Sequence, residues 1–241
     1  MQENYALIFA GGRGERMNSR SIPKQFLELH GKPIIIYTLE KFENHPDITG
    51  IVVVILDGWQ DYLERLLEKF AIRKVISIVP GGSTGQASIH NGLESLSKFA
   101  SPDATVLIHD GVRPLINEDT ISENIALVRE KGNAITVTPA IETVFLENDN
   151  HEFGELFDRD KCCMARAPQS FVLKDIRAAH EKAIAEGRND FLDSAMLMKT
   201  YGATLHRVRG PNENIKITNA SDFFIFRAIC DALENQQLFG I

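Results

Sequence analysis

Apolar and polar positions follow two regular patterns along this chain. Short apolar runs, typical of buried strands, are separated by longer segments in which apolar residues recur every three or four positions, as in amphipathic helices. The apolar runs predict strands at Ala6–Phe9, Ile51–Ile55, Val75–Val79, Thr105–His109, Ala134–Thr138 and Thr204–Val208. The helical pattern predicts helices at Pro33–Phe42, Trp59–Phe70, Thr84–Phe99, Glu118–Lys131, Val172–Glu186, Asp193–Thr200 and from Ala220 to about Asn235.

This alternation indicates the fold class. Strands that alternate with helices of this length are joined by right-handed crossovers, which make the strands parallel and place helices on both faces of the sheet. We therefore expect an α/β fold with a doubly wound, mostly parallel, Rossmann-like sheet. Ligands bind such sheets at the carboxyl ends of the strands, so chemically active residues are expected directly after them.

The region 139–167 interrupts the alternation. It holds the apolar run Ile141–Leu146, the polar turn Glu147–His151 and a second short run around Leu156–Phe157. This pattern predicts a β-hairpin arm that protrudes from a single domain spanning residues 1–241. Because an isolated hairpin is only marginally stable in water, we expect the arm to pack on a second subunit in a homodimer.

Composition and charge exclude several classes of protein. The net charge of −7 argues against general nucleic-acid binding, which requires a basic face. No apolar window is long enough to span a membrane, and the N-terminal Met-Gln-Glu-Asn has no signal-peptide pattern, so we expect a cytoplasmic protein without a membrane partner. The cysteines Cys162, Cys163 and Cys230 have no zinc-ligand spacing and are expected to be reduced thiols.

A glycine-rich loop follows the first predicted strand. The run Ala10–Met17 (AGGRGERM) is followed shortly by Pro-Lys-Gln, which contains Lys24. Glycines let backbone amides approach phosphate oxygens, and Arg13, Arg16 and Lys24 would neutralise the phosphate charge, so the loop predicts a triphosphate site. It is not a P-loop, and Met17 stands where the dinucleotide fingerprint needs its last glycine. The alternative is a glycine-rich connection without a ligand.

Two further segments follow predicted strands. The segment Pro80–Ser88 carries glycines and hydroxyls suited to a base or a ribose, although Ser83 or Thr84 could equally cap the next helix. The segment beginning at His109 places Asp110 and Arg113 at a strand end, where the carboxylate could bind Mg²⁺ and the guanidinium a phosphate. The alternative is a buried ion pair between Asp110 and Arg113 that fixes the loop.

Two charged segments are less informative by themselves. The run Asp158–Lys161 lies on the predicted arm and is typical of a solvated charged surface. Lys216 lies within the apolar run Asn214–Thr218, just before the last helix. A lysine there could anchor a phosphate as a point charge, or be an ordinary lysine at a strand edge.

Together these segments resemble a known family. The motifs AGGxGxRM, PKQFLxLxGKPII, HDxxRP, PQSF and NIKIT occur in this order over nearly the whole chain. In them the chain is similar to the cytidylyltransferases that activate small polyol phosphates with CTP. One branch acts on 2-C-methyl-D-erythritol 4-phosphate in isoprenoid synthesis, and another on D-ribitol 5-phosphate for wall and capsule polymers. The resemblance implies CTP and a polyol phosphate as substrates, Mg²⁺ as cofactor, and a homodimer that exchanges its arms.

The resemblance also implies roles for individual residues. Arg16 and Lys24 would stabilise the transition state at the α-phosphate of CTP, with Lys216 and the arm residue Arg159 completing the catalytic set. Asp110 would lie near Mg²⁺. The implied nucleotide contacts are Ala10, Gly11, Gly12, Arg13, Gly14, Lys24, Gly82, Ser83, Ser88 and Asp110. The implied acceptor contacts are Arg113, Thr143, Arg159 and Lys216, of which Arg159 would serve the neighbouring subunit.

A few positions distinguish the two branches. Phe9–Gly12, the longer segment Ser19–Pro23 and the pair Glu142-Thr143 are nearer to the ribitol branch, so we expect CDP-ribitol as product and keep methylerythritol phosphate as the alternative acceptor. Departures from the family pattern occur at Gly85, at Ala167 and in the run Cys162–Arg166.

Two other classes of function remain as hypotheses. The first is a regulatory protein that binds CTP without catalysis. The retention of the cations Arg16, Lys24 and Lys216 argues against this hypothesis. The second is a sugar-phosphate nucleotidyltransferase that uses UTP or GTP; the NIKIT motif and the arm fit that class poorly.

Overall fold

The structure, a computed structural model, describes residues 3–12 and 22–239. Its strands are β1 (Asn4–Ala10), β2 (Glu28–Leu29), β3 (Lys32–Pro33), β4 (Gly50–Ile55), β5 (Val75–Pro80), β6 (Thr105–Asp110), β7 (Asn133–Pro139), β8 (Val144–Glu147), β9 (Phe153–Phe157), β10 (Cys163–Val172) and β11 (Arg207–Arg209). Its α-helices are α1 (Ile34–Glu43), α2 (Gln60–Lys69), α3 (Gly85–Leu96), α4 (Glu118–Lys131), α5 (Leu173–Ala185), α6 (Ser194–Thr200) and α7 (Ala220–Phe239).

The central sheet has seven strands in the order β11-β7-β10-β6-β1-β4-β5. The pairs β1–β4, β1–β6, β4–β5 and β7–β11 are parallel, whereas β10 is antiparallel to both β6 and β7. The predicted α/β class with a mostly parallel sheet is therefore confirmed. Because β1, β4, β5 and β6 run in the same direction, the loops after Ala10, Ile55, Pro80 and Asp110 meet at one edge.

Strand β10 was not predicted. Its sequence contains Pro168, which cannot donate to a sheet ladder, and the pairing with β7 shifts register between Ala165 and Gln169, where this proline lies. The strand runs against β6, with Gln169 opposite Ile108. The first half of β10 therefore lies at the same sheet edge as the carboxyl end of β6.

Side chains from alternate positions of the sheet build two apolar layers. Leu7, Val52 and Val106 pack with α3, α5 and α6 on one face. On the opposite face of the sheet, Ile8 and Val53 pack with α1, α2 and α4. This period of two along buried strands is the pattern that predicted them.

The helix boundaries follow local chemistry. Helix α3 begins where Thr84 Oγ1 accepts a hydrogen bond from the Ala87 amide at 3.0 Å, which decides the choice of cap between Ser83 and Thr84. Helix α4 ends at Gly132, whose φ of 85° places it in the left-handed region that favours glycine. Within residues 3–12 and 22–239, no helix has the length and apolar character needed to cross a membrane.

Helix α3 lies close to the sheet at Gly92, and we expect Gly92→Ala to destabilise the fold. A Cβ at this position would lie 2.7 Å from Val54 Cγ2 and 2.8 Å from Leu7 Cδ1. Replacing glycine by alanine normally stabilises a helix by about 1 kcal/mol, but overpacking a core destabilises the fold by roughly 1–3 kcal/mol. Urea unfolding should show a net loss of stability. Gly85→Ala is the matched control in the same helix, because its Cβ would meet nothing within 4 Å; equal effects of the two variants would contradict the packing argument.

Two buried histidines predict acid sensitivity. Burial lowers the pKa of His109 to about 4, although a hydrogen bond to the Arg113 carbonyl acts in the opposite direction. Burial also lowers the pKa of His180 to about 4. The unfolded chain binds these protons near pH 6.5, so each residue's contribution is complete above pH 6.5 and is lost as the pH falls towards 4. The loss is roughly 3 kcal/mol per histidine.

Thermal or urea unfolding between pH 7.5 and pH 4 measures this loss. His180→Phe removes one titrating group without losing a hydrogen bond, since neither ring nitrogen of His180 has a partner among the described residues. The stability of this variant should therefore depend less steeply on pH than that of the unmodified protein. Identical slopes would show that His180 does not stay neutral in the folded state.

Candidate active site

The loops at the carboxyl edge of the sheet enclose two connected spaces. The larger, which we call the main cleft, has a volume of about 710 Å³ and is lined by the loops after β1, β4 and β5. The smaller, the side pocket, has a volume of about 300 Å³ and is lined by β10, α5 and α6. Phe9, Gly85, Asp110 and Lys216 line both, so the two spaces meet around these residues. Both volumes are in the range of small-molecule sites.

Lys24 is placed at the main cleft by its neighbour Gln25. The Gln25 side chain is buried and donates a hydrogen bond of 2.7 Å from Nε2 to the carbonyl of Ala10, the last residue of β1. A short 3₁₀ helix, Lys24–Phe26, holds both residues in one turn. The sequence pattern singled out the lysine and missed Gln25, the residue that connects it to the sheet.

The loops after β1 and β5 approach each other closely through backbone atoms. An added Cβ on Gly11 would lie 3.3 Å from the Gly81 Cα, a tight contact, and one on Gly82 would lie 2.6 Å from the Ala87 Cβ, where a side chain has no room. The Gly82 amide donates to Ser88 Oγ at 3.0 Å, and this hydroxyl donates to the Thr84 carbonyl at 2.9 Å. Ser88 thus shapes the loop that lines the cleft.

Asp110 lies where the two spaces meet and forms ion pairs with two cations. Its Oδ2 accepts a hydrogen bond from Arg113 Nε at 2.8 Å, and its Oδ1 lies 2.6 Å from Lys216 Nζ. Asp110 and Arg113 are buried, whereas the Lys216 side chain is 40% exposed and faces the cleft. The ion pair between Asp110 and Arg113, considered as an alternative to a ligand site, is therefore present. Asp110 also forms an ion pair with Lys216.

The charges determine the state of Asp110. Burial by itself would raise the pKa of this carboxyl, but Lys216 and Arg113 outweigh burial and lower its pKa to about 2. The carboxylate is therefore ionised throughout the neutral range. One negative charge between two positive ones leaves a net positive charge at the junction of the cleft and the pocket.

The NIKIT segment is fixed by Asn214 as well as by Lys216. Asn214 Nδ2 donates to the Ala167 carbonyl at 2.6 Å, and the Asn214 carbonyl accepts from Arg113 at 2.9 Å. Three residues on, the Ile217 amide donates to the Val112 carbonyl. The segment thereby connects β10, the loop after β6 and the start of α7. Asn214 stands in the NIKIT motif, but the motif predicts no role for it.

The side pocket contains polar groups that sequence reasoning missed. His180 and Ser194 line it and are almost fully buried. In the part of the chain that the structure describes, neither ring nitrogen of His180 nor the Ser194 hydroxyl has a hydrogen-bond partner. Buried polar groups without a partner are costly, so a polar ligand that reached these atoms would be favoured. No motif marks them, because both lie on helices with ordinary amphipathic patterns.

Most sequence-predicted residues meet at these two spaces. The main cleft is lined by Ala10, Gly11, Gly12, Lys24, Gly82, Ser83, Ser88, Asp110 and Lys216. Arg113 and Lys216 line the side pocket. Arg13, Gly14 and Arg16 lie outside the described residues. Thr143 and Arg159 lie on the arm and line neither space within this one chain.

The arm is a separate two-stranded sheet of β8 and β9, in which Val144 pairs with Phe157. Its apolar side chains are open to solvent: Phe153 is 81% exposed and stacks on Phe145 with ring centroids 4.8 Å apart. The Arg159 side chain is 60% exposed; within the described residues it donates to the Ile141 carbonyl at 3.3 Å and lies 3.8 Å from Asp160. A large exposed apolar patch of this kind is typical of an interaction surface.

Comparisons with known proteins agree with this geometry. The family described as IspD, 2-C-methyl-D-erythritol 4-phosphate cytidylyltransferase, matches residues 5–232. The chain is 50% identical to the ribitol-5-phosphate cytidylyltransferase of Streptococcus agalactiae serotype III over 99% of this chain and 100% of the relative. It is 35% identical to the 2-C-methyl-D-erythritol 4-phosphate cytidylyltransferase of Clostridium botulinum (strain Loch Maree / Type A3) over 97% of this chain and 100% of that one.

A solved structure shares the whole architecture. The 4-diphosphocytidyl-2C-methyl-D-erythritol synthase of Anaerococcus prevotii superimposes with a TM-score of 0.81 at 28% identity, covering 95% of this chain and 96% of that one. The resemblance inferred from the motifs is thereby confirmed over nearly the full length. The chain belongs to the IspD family of cytidylyltransferases.

Proposed function

We propose that this enzyme transfers CMP from CTP to D-ribitol 5-phosphate, giving CDP-ribitol and pyrophosphate. The observation that carries the proposal is the pair of connected spaces that meet at Asp110 and Lys216. A reaction between two anionic substrates needs two adjoining sites with fixed positive charge at their junction, and this arrangement provides it. The higher identity to a ribitol-5-phosphate enzyme, 50% against 35%, favours ribitol phosphate over methylerythritol phosphate as acceptor.

The chemistry requires no covalent intermediate. An oxygen of the acceptor phosphate attacks the α-phosphorus of CTP, the new P–O bond forms, and the bond to the β-phosphate oxygen breaks to release pyrophosphate. The nucleophile is already an anion, so no general base is needed. Catalysis consists of holding two polyanions together and stabilising the charge that develops, the role we assign to Lys24, Lys216 and, by the family resemblance, Arg16.

The two spaces suit the two substrates. The main cleft has backbone amides and hydroxyls from Gly11, Gly82 and Ser83 where CTP would lie. The side pocket combines Arg113 with buried polar atoms of His180 and Ser194 that have no protein partner in the described chain. An acceptor with a phosphate and several hydroxyls would give partners to these atoms, which an apolar acceptor would not.

Mg²⁺ is the cofactor that we assign by family, with Asp110 as the residue that would hold it. Each carboxylate oxygen of Asp110 accepts from one cation and keeps a further lone pair, and its low pKa keeps it charged. Since Arg113 and Lys216 already balance that charge, Asp110 would supply one ligand to a magnesium ion and would not hold the ion alone. When bound, the ion would neutralise triphosphate charge.

We further propose that the arm completes the site of a second subunit. Arg159 and Thr143 line neither space of their own chain, yet the family resemblance gives both a role at the acceptor. The exposed apolar side chains of the arm, Phe145, Leu156 and Phe153 among them, would be covered by the partner. A homodimer with exchanged arms satisfies both observations.

The acceptor and the nucleotide can be tested directly. Pyrophosphate release from CTP and Mg²⁺ should be fast with D-ribitol 5-phosphate, at least about tenfold slower with 2-C-methyl-D-erythritol 4-phosphate, and weak when UTP or GTP replaces CTP. A preference for methylerythritol phosphate would favour the other branch. Binding of CTP without pyrophosphate release from any acceptor would favour a regulatory protein.

Two inactive variants test both the role of Lys24 and arm exchange. Lys24→Ala should lower turnover by about 10²–10³ because a preorganised charge is lost, and Arg159→Ala should lower turnover as well. If arms are exchanged, mixing the two variants under subunit exchange creates heterodimers in which one site has both Lys24 and Arg159. The activity of the mixture should then exceed that of either variant alone.

The outcomes of this experiment are distinct. Sedimentation and thermal unfolding serve as controls that both variants remain folded dimers. Wild-type turnover by Lys24→Ala would refute the phosphate role of the lysine. No recovery in a mixture proven to contain heterodimers would refute arm exchange.

A further inference from the structure

We infer that Arg166 binds the phosphate group of the acceptor in the side pocket. The inference rests on the proposed function, because it takes the side pocket as the acceptor site. It adds a further cation to a site for which the family resemblance already implies Arg113, Lys216 and, from the arm of a neighbouring subunit, Arg159.

The position of Arg166 comes from an irregularity of β10. The pairing of β10 with β7 shifts register between Ala165 and Gln169, and Arg166 lies within this interval. Its side chain is half-buried and lines the side pocket together with Arg113. A regular strand would alternate these residues strictly between the two faces of the sheet, so the irregularity frees the side chain from that alternation.

A single hydrogen bond orients the guanidinium. Arg166 Nε donates to the hydroxyl of Thr138 at 3.2 Å, and Thr138 is buried on the adjacent strand β7. The two terminal nitrogens of a guanidinium oriented through Nε can make a paired contact with two phosphate oxygens. A lysine or glutamine would satisfy Thr138 equally well, so this bond does not by itself explain an arginine.

The charge around Arg166 favours an anion. Arg113 and Lys216 share the carboxylate of Asp110, whereas no carboxylate of the described residues forms an ion pair with Arg166. Burial, and secondarily the charge of Arg113, lower the pKa of Arg166, which shows that its environment disfavours a second positive charge. A phosphate bound between the two arginines would relieve this repulsion.

Steady-state kinetics of Arg166→Met test the inference. We expect the KM for D-ribitol 5-phosphate to rise about 10- to 100-fold, the effect of losing a hydrogen bond between charged groups, while the KM for CTP changes less than about twofold. Arg166→Lys should restore only part of the acceptor affinity, since it keeps the charge but cannot make the paired contact with two phosphate oxygens. Arg207→Met is the matched control, because this exposed arginine on β11 loses the same charge away from both spaces.

A binding measurement separates this inference from the proposed function. Inorganic phosphate, titrated calorimetrically into the protein without CTP, should bind at least about tenfold more weakly to Arg166→Met than to the unmodified protein or to Arg207→Met. This result would support the inference even if ribitol phosphate proved a poor acceptor. If the wild type turned over ribitol phosphate and Arg166→Met kept its acceptor KM and its phosphate affinity, the inference would be wrong. Equal rises in both KM values with a lowered melting temperature would assign Arg166 a structural role and overturn it as well.

Discussion

The site depends on the carboxylate of Asp110, buried at the end of β6 between Arg113 and Lys216. Removing a charge from water is expensive, and the two cations make this burial tolerable by supplying a hydrogen bond to each oxygen. In return the carboxylate fixes both cations. One of them, Arg113, is buried with it, while the other, Lys216, reaches the cleft from a segment far away in sequence.

The three charged residues Asp110, Arg113 and Lys216 keep this geometry only if the surrounding segments are held in place. Lys216 stays in place only if the segment before α7 is held against the loop after β6, and Asn214 and Ile217 do so through bonds to backbone atoms. Gln25 holds Lys24 in the same way, by a bond to the Ala10 carbonyl. Amide side chains bonded to backbone carbonyls position the charges without adding charge of their own, so the net positive potential at the junction is preserved.

How much of this could be predicted differs between the two spaces. The main cleft follows from the order of buried strands and from the residues just after them, because parallel strands bring their carboxyl ends together. Strand β10 was missed because Pro168 contradicts the strand pattern, and the position of Arg166 at the side pocket was missed with it. His180 and Ser194 were missed because their helices carry ordinary amphipathic patterns. Gln25 and Asn214 act through backbone atoms that no sequence motif displays.

The two spaces therefore differ in how they are built, and this difference bears on specificity. Part of the main cleft is backbone at Gly11 and Gly82, where an added side chain would be crowded, so the shape of this part tolerates little change. The side pocket is formed by side chains of β10, α5 and α6. The departures from the family pattern at Arg166 and Ala167 both fall in β10 and line the side pocket. If the proposed assignment holds, a change of acceptor can occur there without disturbing the loops that line the main cleft.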